Sequence, residues 1–461
     1  MLLNSTIRLG RSCARLLATG ILAAASLMAQ GSMLTLWERG VAEEPADTEF
    51  MDEIEYRALL YFVEQSDPVT GLTRDRAPAA GGEIRKMPAS IAATGFALSG
   101  WCIADARGWM EPGNALERVR KTLRFVSEKV EHEHGWIYHF IDATTGARAW
   151  CSEASTIDTA LFLSGALTAR QYFNDPEVTQ LVDAIYSRVD WQWAMNGGTT
   201  LTHGWRPETG FIHSRWDNYA ELLGMYLLGI GAPANALPSE SWNAWNRAPL
   251  VNFGGREFIN AGPLFTHQYA HAWFDFRRKR DTHIDYWENS VRATLAQRDW
   301  FALHPQRFDG WSLDLWGLTA SDSAKGYVAW GGPGGFGSEL ADGTVVPCAP
   351  GGSLPFAPEE CLIALRTMQQ LGGDKAWQRY GFVSAFNPQT GWASPDVIGI
   401  DLGIMLIMTE NYRTGLVWKV FMDAPEVRQG MQLAGFHGDA PAEPIHVAAQ
   451  SISIPELAAN D

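Results

Sequence analysis

Apolar side chains recur every three to four residues along most of the chain, which is the spacing of amphipathic α-helices. Runs that alternate between polar and apolar residues, as strands do, are few and short. The pattern therefore predicts an all-α fold. The predicted helices include residues 50–64, 91–106, 115–130, 156–173, 216–230, 264–279, 284–301, 358–371 and 397–412.

A short turn pattern separates several of these helices. A polar residue, Pro or Ala, any residue, Thr and Gly follow one another at residues 67–71, 142–146 and 387–391, with a shorter form at 207–210. Asp or Asn at the start and Gly at the end are typical of type I turns. Repeated helical hairpins with long loops at one end favour a closed toroid whose loops surround a cleft.

The composition narrows the choice of ligand. Of the 461 residues, 46% are hydrophobic, so the chain can bury a large core as one or two domains. With 52 acidic and 36 basic residues the net charge is -16, which argues against nucleic acid, anionic lipid or a polyanionic sugar as the main ligand. The 20 tryptophans can supply flat apolar surfaces that suit the faces of sugar rings.

The N-terminus has the pattern of an export signal. Arg8, Arg11 and Arg15 precede an apolar run at residues 16–28, and small residues follow. We expect the mature protein to be periplasmic or secreted, monomeric and without stable membrane insertion, with an uncleaved anchor as the alternative. The predicted parts are a signal peptide at 1–31, a linker at 32–47, a catalytic domain at 48–436 and an Ala- and Pro-rich tail at 437–461.

The sequence predicts neither a metal nor a cofactor. The four cysteines that follow the leader have no C-x-x-C spacing, and spacing alone does not pair them as disulfides. His267 and His271 are four residues apart, as in some zinc sites, but the glutamate of an HExxH motif is missing. We therefore expect His267 to pack in the core or to hydrogen bond to a sugar.

Cleavage of a glycosidic bond usually needs one protonated and one ionised carboxyl group. Glu153 is the first candidate. Ser155 and Asp158 match a capping box for the helix that follows, so a structural role would explain Asp158. Glu153 precedes the cap, near the positive end of the helix dipole, which favours its ionised form. We predict a base or a substrate-binding carboxylate there, with a solvated loop residue as the alternative.

Glu221 is the second candidate. Asp217 and Glu221 are four residues apart and would share one face of the predicted helix at 216–230. That helix is apolar on nearly all sides and is therefore expected to be buried. Burial and the nearby Asp217 would raise the pKa of one carboxyl group, as a general acid requires. An ion pair with Arg215 or Arg206 is the structural alternative.

Asp217 and several loop positions are predicted to contact substrate as well. Asp142 opens one of the turns, although an Asx turn alone would also explain it. Asp322 and Tyr327 lie in a loop between aromatic residues, and Asp401 and Glu410 are interpreted as buried polar anchors. The tryptophans expected to stack on sugar, with core packing as the alternative for each, are Trp150, Trp205 and Trp216.

Motifs of other common chemistries are missing from the sequence. It contains neither a GxSxG nucleophile elbow nor a GxxxxGK[ST] phosphate loop. The segment GGPGGFG at 331–337 follows no predicted strand and opens no predicted helix, so a phosphate site is not expected there.

Six segments stand in a fixed order along the chain: SEASTIDTALFLSGALTA, RWDNYAELLGMYLLGIGAP, GPLFTHQYAHAWFDFR, WGLTASDSAKGY, DGTVVPCAPGGSLPFAPEE and IGIDLGIMLIMTENYRTGLVW. Together they resemble the glucoamylase-like bacterial domain, which includes glycoside hydrolase family 144, the endo-β-1,2-glucanases. The resemblance extends over residues 56–436, nearly the whole mature chain.

This resemblance implies an (α/α)6 toroid with a cleft at its loop end. It also implies metal-free, endo-acting hydrolysis of β-1,2-glucan with inversion, functional carboxylates at Glu153 and Glu221, and Asp142 and Asp322 in the cleft. The alternatives are a transglycosylase, a hydrolase of another β-glucan, a uronate lyase and a non-catalytic glucan-binding toroid. A binding protein would not need both glutamates, and the net charge argues against a lyase of acidic sugars.

Overall fold

The computed structural model describes residues 45–82, 86–308, 310–438 and 451–453. The chain divides into a unit that ends at Met51 and a unit that begins at Asp52. The described residues of the first unit are helical, and the second unit contains all the features discussed below. The α-helices are α1 Pro45–Gln65, α2 Ile91–Ala106, α3 Asn114–Glu128, α4 Thr156–Phe173, α5 Pro176–Ser187, α6 Trp191–Ala194, α7 Leu223–Gly231, α8 Tyr269–Trp273, α9 Tyr286–Ala302, α10 Cys348–Gly352, α11 Pro358–Ala376, α12 Gly399–Arg413, α13 Leu416–Phe421 and α14 Pro425–Leu433.

Within the described residues, six inner helices form a closed ring. α2 packs against α4, α4 against α7, α7 against α8, α8 against α12, and α12 against α2. α10 completes the ring between α12 and the 3-10 turn Leu264–His267 that precedes α8. Every residue of α7, α8 and α10 is buried, as expected for helices that are apolar on all sides. The ring is therefore the core of the molecule.

Glycines let α2 and α4 approach closely. A Cβ added to Gly95 would lie 2.5 Å from the Cα of Phe162, and one added to Gly165 would lie 1.9 Å from the carbonyl oxygen of Gly95. A larger residue at either position would push the two helices apart. Both helices have the bounds predicted from the sequence.

A second layer of helices covers this ring. α3 packs on α2 and α5 packs on α4, while α14 covers α7 and α11 covers α10. α3 is amphipathic and buries only one face, through residues such as Val119 and Leu123. α13 contacts α2, α4, α8 and α12 and closes one end of the ring. The predicted helical toroid is confirmed.

Short strands lead into several inner helices. β2 directly precedes α2, β6 precedes α4 and β18 precedes α12. β2 pairs with β5, β6 with β7, and β1 with β18, all antiparallel, so loops and inner-helix N-termini gather at one end of the ring. The strands are β1 Arg76–Pro78, β2 Ala89–Ser90, β3 His132–Glu133, β4 Trp136–Ile137, β5 Phe140–Ile141, β6 Ala154–Ser155, β7 Gly204–Arg206, β8 Gly210–Phe211, β9 Leu250–Phe253, β10 Arg256–Ile259, β11 Lys279–Arg280, β12 Ala320–Ser323, β13 Gly326–Ala329, β14 Trp377–Gln378, β15 Gly381–Phe382, β16 Phe386–Asn387, β17 Trp392–Ala393, β18 Asp396–Ile398, β19 His437–Gly438 and β20 Ser451–Ser453.

The repeated turn pattern has the predicted chemistry. Asp67, Asp142 and Asn387 each accept N–H bonds from the residues two and three positions later, as in an Asx turn. The glycine that ends each copy has a positive φ, between 69° and 76°. The glycines in question are Gly71, Gly146, Gly210 and Gly391.

Two predicted helices were wrong in extent. The predicted helix at 216–230 begins only at Leu223, because the preceding residues are extended: the N–H of Asn246 donates to the carbonyl of Asp217 at 2.8 Å, and that of Tyr219 donates back to Asn246 at 2.9 Å. Asp217 and Glu221 therefore do not share a helix face. The predicted helix at 264–279 is a 3-10 turn followed by α8, which ends at Trp273.

The predicted signal peptide at 1–31 and most of the predicted linker and tail lie outside the described residues. α1 begins at Pro45, inside the predicted linker, and β19 and β20 lie inside the predicted tail. None of the described helices is long and apolar enough to cross a membrane.

Candidate active site

Ser155 and Asp158 begin α4, as predicted. The hydroxyl of Ser155 accepts the N–H of Asp158 at 3.2 Å and donates to its Oδ2 at 2.5 Å. The other oxygen of Asp158, Oδ1, lies 3.6 Å from Nε2 of His139. Asp158 thus starts the helix and also directs a negative charge at a histidine, so capping does not account for all its contacts.

Glu153 is held in its ionised form by two cationic neighbours. Its Oε1 lies 3.2 Å from Nδ1 of His139, and its Oε2 accepts a hydrogen bond from Nη2 of Arg206 at 3.1 Å. The bond from His139 is the largest influence and, against the effect of burial, these contacts lower the pKa of Glu153 to about 2. The sequence attributed this ionisation to the helix dipole, whereas the structure supplies direct partners.

Neither cation was predicted as a partner of Glu153. Arg206 was expected, as an alternative, to pair with Glu221, and His139 was not considered. His139 stands in an otherwise apolar and aromatic run at residues 136–141, which marks the position as unusual but does not identify its partners.

The strand β7 fits closely against Glu153. A Cβ added to Gly204 would lie 2.5 Å from the carbonyl oxygen of Ala154 and 3.0 Å from Cγ of Glu153, and Gly204 has a φ of 156°. Glycine is therefore required where the two segments meet. The adjacent Trp205 pairs with Ala154 and is half-buried against Trp193. Its contact with sugar stays a prediction.

Glu221 lies in the turn immediately before α7. Burial raises the pKa of Glu221 to about 7, and the negative charge of Asp158 adds to the rise against a bond from the residue's own N–H. A protonated carboxyl near neutral pH is what the sequence predicted, but the contributing charge is Asp158, not Asp217. Asp217 is half-buried and accepts a bond from Asn218 at 2.8 Å; its substrate contact stays a prediction.

A second buried acid, Asp401, lies in the first turn of α12. Burial raises the pKa of Asp401 to about 8, although bonds from the Ser384 hydroxyl, at 3.1 Å, and from the Cys348 thiol oppose the rise. Burial and the charge of Asp401 raise the pKa of Tyr269, and the charge of Glu221 contributes there as well. Because both charges act on Tyr269, Glu221 and Asp401 lie in the same region of the molecule. The sequence predicted this for neither of them.

Asp322 has partners within the protein, and its predicted contact with substrate stays a prediction. Its carboxylate accepts two bonds from Nη1 of Arg76, at 3.0 and 3.3 Å, and one from the Ser394 hydroxyl at 3.0 Å. Asp322 thereby ties the β12–β13 hairpin to β1. The same hairpin carries Tyr327, which pairs with Asp322 across the two strands and is 55% exposed. The contact of its ring with substrate stays a prediction.

Trp150 exposes its aromatic ring near His139 and Glu153. Trp150 and Cys151 have φ values of 53° and 51°, a left-handed backbone that non-glycine residues rarely adopt and that is frequent at functional sites. The Trp150 ring is 59% exposed and contacts Phe140 at a centroid distance of 5.0 Å, and Phe140 stacks on His139 at 3.8 Å. This position suits the predicted stacking on sugar.

Trp216 and His267 lie in the core, which is the alternative that the sequence analysis allowed for each. Trp216 is buried, donates its indole N–H to Thr156 at 2.9 Å and stacks on His203. His267 is also buried, with Nδ1 at 2.9 Å from the Tyr219 hydroxyl, and burial lowers its pKa to about 3. Neither can reach a ligand without rearrangement of the core.

Asp142 has a structural use as well. One of its carboxylate oxygens accepts bonds from the backbone and hydroxyl groups of Thr144 and Thr145, and the Thr144 hydroxyl is the main cause that lowers its pKa to about 2. The Asx-turn alternative is therefore realised, and a substrate contact by Asp142 stays a prediction.

His139, Glu153 and Asp158 form the group of potential metal ligands among the described residues, with donor atoms within 4.8 Å of one another. The two carboxylates contact different nitrogens of the imidazole ring, and an ion can bind only one of them. Glu153 is also paired with Arg206, whose charge opposes a cation. The arrangement fits protons on both ring nitrogens better than a metal ion.

A family comparison adds to this geometry. Residues 213–425 match a protein-family model described as "Putative glucoamylase". This part of the chain is similar to a glucoamylase-like domain. The match includes Glu221 and Asp401, while His139 and Glu153 lie before it.

Relatives of the glucoamylase-like domain include characterised hydrolases. The chain is 27% identical over 425 residues to an exo-β-1,2-glucooligosaccharide sophorohydrolase of Parabacteroides distasonis; the match covers 84% of this chain and 58% of that protein. The chain thus spans less than two thirds of the length of this relative. An endo-β-1,2-glucanase of Chitinophaga pinensis, solved with sophorotriose and glucose, aligns with a TM-score of 0.78 and 28% identity over 85% of this chain and 99% of that one. A "putative glucoamylase" structure from Bacteroides uniformis aligns with the same TM-score and 29% identity, over 86% and 99% of the two chains.

Proposed function

We propose that this protein is an endo-acting, inverting glycoside hydrolase that cleaves β-1,2-linked glucan, with Glu221 as general acid. One observation carries the proposal: partial burial and the charge of Asp158 raise the pKa of Glu221 to about 7, and the same Asp158 lies beside His139, the partner of the ionised Glu153. This is the division between an acid and a carboxylate that glycosidic cleavage needs. The Parabacteroides and Chitinophaga relatives, whose names specify β-1,2-glucans or their oligosaccharides, support the linkage.

In the proposed reaction Glu221 gives its proton to the glycosidic oxygen as the bond to the anomeric carbon breaks. Water attacks that carbon from the opposite face, and the proton it loses returns to solvent or to Glu221 in the next cycle. Glu153, with a pKa of about 2, is a weak base. We therefore assign it to the hydrogen bonds that orient the water or a sugar hydroxyl. Trp150 and Tyr327 offer exposed rings for the sugar.

The Parabacteroides relative favours a second candidate, exo-acting release of a disaccharide from one chain end. The lengths of the first products separate the two candidates. An endo enzyme releases oligosaccharides of many lengths from linear β-1,2-glucan at once, whereas an exo enzyme releases a single short product from the start.

The test is incubation of the purified protein with linear β-1,2-, β-1,3- and β-1,4-glucans, followed by chromatography of the products. We expect short oligosaccharides from the β-1,2-glucan alone, and their loss in Glu221→Gln. Glu240→Gln, at an exposed position, is the matched control and should keep full activity. Cleavage of another glucan only would contradict the substrate, and full activity of Glu221→Gln would contradict the acid.

We also propose that the protein is exported and monomeric, on the evidence of the arginines and the apolar run at residues 8–28. Mass spectrometry of the N-terminus of protein from the cell envelope tests the first statement, and light scattering in solution tests the second. An intact Met1 or a dimer mass would contradict them.

A further inference from the structure

His139 has no part in the proposed proton transfer, yet it lies between two carboxylates of the site. Its Nδ1 is 3.2 Å from Glu153 and its Nε2 is 3.6 Å from Asp158. A neutral imidazole carries one N–H and can donate to one side only, whereas an imidazolium donates to both. The Glu153 contact is a hydrogen bond and the Asp158 contact is within ion-pair distance, so both carboxylates favour the doubly protonated, charged ring.

The main chain fixes the orientation of this ring. The N–H of His139 donates to the carbonyl of Glu153 at 2.9 Å, and the carbonyl of His139 accepts the N–H of Ile91, the first residue of α2, at 3.2 Å. The ring also stacks on Phe140 with an interplanar angle of 17°. A side chain held at both its backbone and its ring can position the carboxylate that it binds.

Charged residues from four segments lie around His139, Glu153 and Asp158. Burial opposes the charged form of His139, but Asp158 on α4, Glu153 before β6 and Asp75 before β1 together raise its pKa to about 9. Arg206 on β7 is the second cation at Glu153, and Asp158 is the charged residue whose field reaches Glu221.

We propose that His139 is a positioning residue: as an imidazolium it holds the Glu153 carboxylate in place and partly neutralises Asp158, so that the His139–Asp158 pair sets the charge next to Glu221. The effect on Glu221 rests on the proposed function of that residue, whereas the charge of His139 and its contacts with Glu153 and Asp158 do not. His139 and Asp158 therefore act on Glu221 in opposite directions.

The first test needs no catalysis. Two-dimensional NMR of the histidine ring signals of the full chain, from pH 5 to 10, is compared with the spectra of His139→Gln to assign the signal. We expect His139 to stay charged until about pH 9, well above a free imidazole. A ring that titrates at or below pH 6.5 would overturn the proposal whatever the activity of the protein.

The second test is the pH profile of kcat/KM on β-1,2-gluco-oligosaccharide. In Asp158→Asn, loss of the negative charge should shift the alkaline limb to lower pH by roughly one unit. In His139→Gln the alkaline limb should shift to higher pH, because Asp158 is no longer partly neutralised. An acid limb should also appear, because Glu153 loses the donor that lowers its pKa.

His437→Gln, at an exposed position away from the cluster, is the control and should leave both limbs in place. Because Asp158 also begins α4, thermal unfolding is measured for each variant, and His139→Gln alone still tests the acid limb. A purely structural role for His139 predicts lower kcat with neither limb displaced, which would contradict the proposal. If no variant, including the unmodified chain, cleaves the substrate, the proposed function fails while the NMR result stands.

Discussion

Acids lie at both ends of the inner helices, and their partners differ between the two ends. The site end carries Glu221 and Asp401, next to helix N-termini. The opposite end carries Glu55 and Glu410, beside the last turn of α12 and the C-terminus of α2. Burial raises the pKa of Glu55 to about 8, as it raises those of Glu221 and Asp401 to about 7 and 8. A raised pKa therefore does not by itself identify a catalytic acid.

The partners distinguish the two ends. Arg107 lies 2.7 Å from Glu410 and 3.6 Å from Glu55, and Arg413 pairs with Glu55 as well. Arginines are stabilised at helix C-termini, where the helix dipole is negative. At the site end, Asp401 is bonded by a hydroxyl and a thiol, and the charge that acts on Glu221 is that of another acid. The neighbours of Glu221 and Asp401 are thus neutral or acidic, whereas those of Glu55 and Glu410 include arginines, which oppose the rise in the pKa of Glu55.

The largest expected difference compares Glu221→Gln with Glu410→Gln. Removal of a general acid should lower kcat on β-1,2-glucan by about 10²–10⁴-fold with little change in thermal stability. Removal of the Glu410 charge leaves Arg107 without its closest partner and should lower the free energy of unfolding by about 3–5 kcal/mol. Activity per folded molecule should then be retained. Activity assays and thermal melts of the same preparations check both variants. A lowered melting temperature in Glu221→Gln but not in Glu410→Gln would contradict the expected difference.

The next difference compares two tryptophans. Trp216→Ala removes a buried ring and its bond to Thr156, and should lower the free energy of unfolding by roughly 3–5 kcal/mol. Trp150→Ala removes an exposed ring and should leave the melt unchanged while raising KM by about 2- to 10-fold, as expected for loss of roughly 0.5–1.5 kcal/mol of stacking. An unchanged KM in Trp150→Ala would exclude it as a sugar platform.

The smallest expected effect is a shift in pH dependence. Because the pKa of Glu221 is raised to about 7, the acid is protonated below that pH, and kcat/KM should be level near pH 5–6 and fall about tenfold per unit above pH 7. Glu410→Gln should leave this limb in place, since Glu410 lies at the other end of the helix ring. A limb that moves in that variant would show that the two ends are electrically coupled.

The sequence predicts the parts of the fold that local pattern determines. α2 and α4 have their predicted bounds because continuous apolar runs and a Ser cap define both ends. The start of α7 was misplaced because Trp216 and Tyr219 fit helical spacing, while pairing with Asn246, a distant residue, keeps them extended. Periodicity carries no information about such a partner.

The same contrast between local pattern and distant partners applies to the candidate active site. Glu153 and Glu221 could be predicted because one stands outside a helix cap and the other borders an apolar segment. His139 could not, since its contacts with Glu153 and Asp158 join residues 14 and 19 positions away. The sequence left Trp216 and His267 open between burial and ligand contact, because an aromatic or histidine side chain near a loop is compatible with either, and only packing shows that both are buried.

The protonation state of Glu221 is measured most directly by carboxyl ¹³C NMR of Glu-labelled protein across pH 4–9. The Glu221 signal is assigned by its loss in Glu221→Gln, and Glu240→Gln serves as the exposed reference. The account predicts a Glu221 midpoint near pH 7 in the absence of substrate, with Asp158→Asn shifting it to lower pH. A midpoint at the value of an exposed glutamate, near 4.5, would contradict the assignment of Glu221 as the acid.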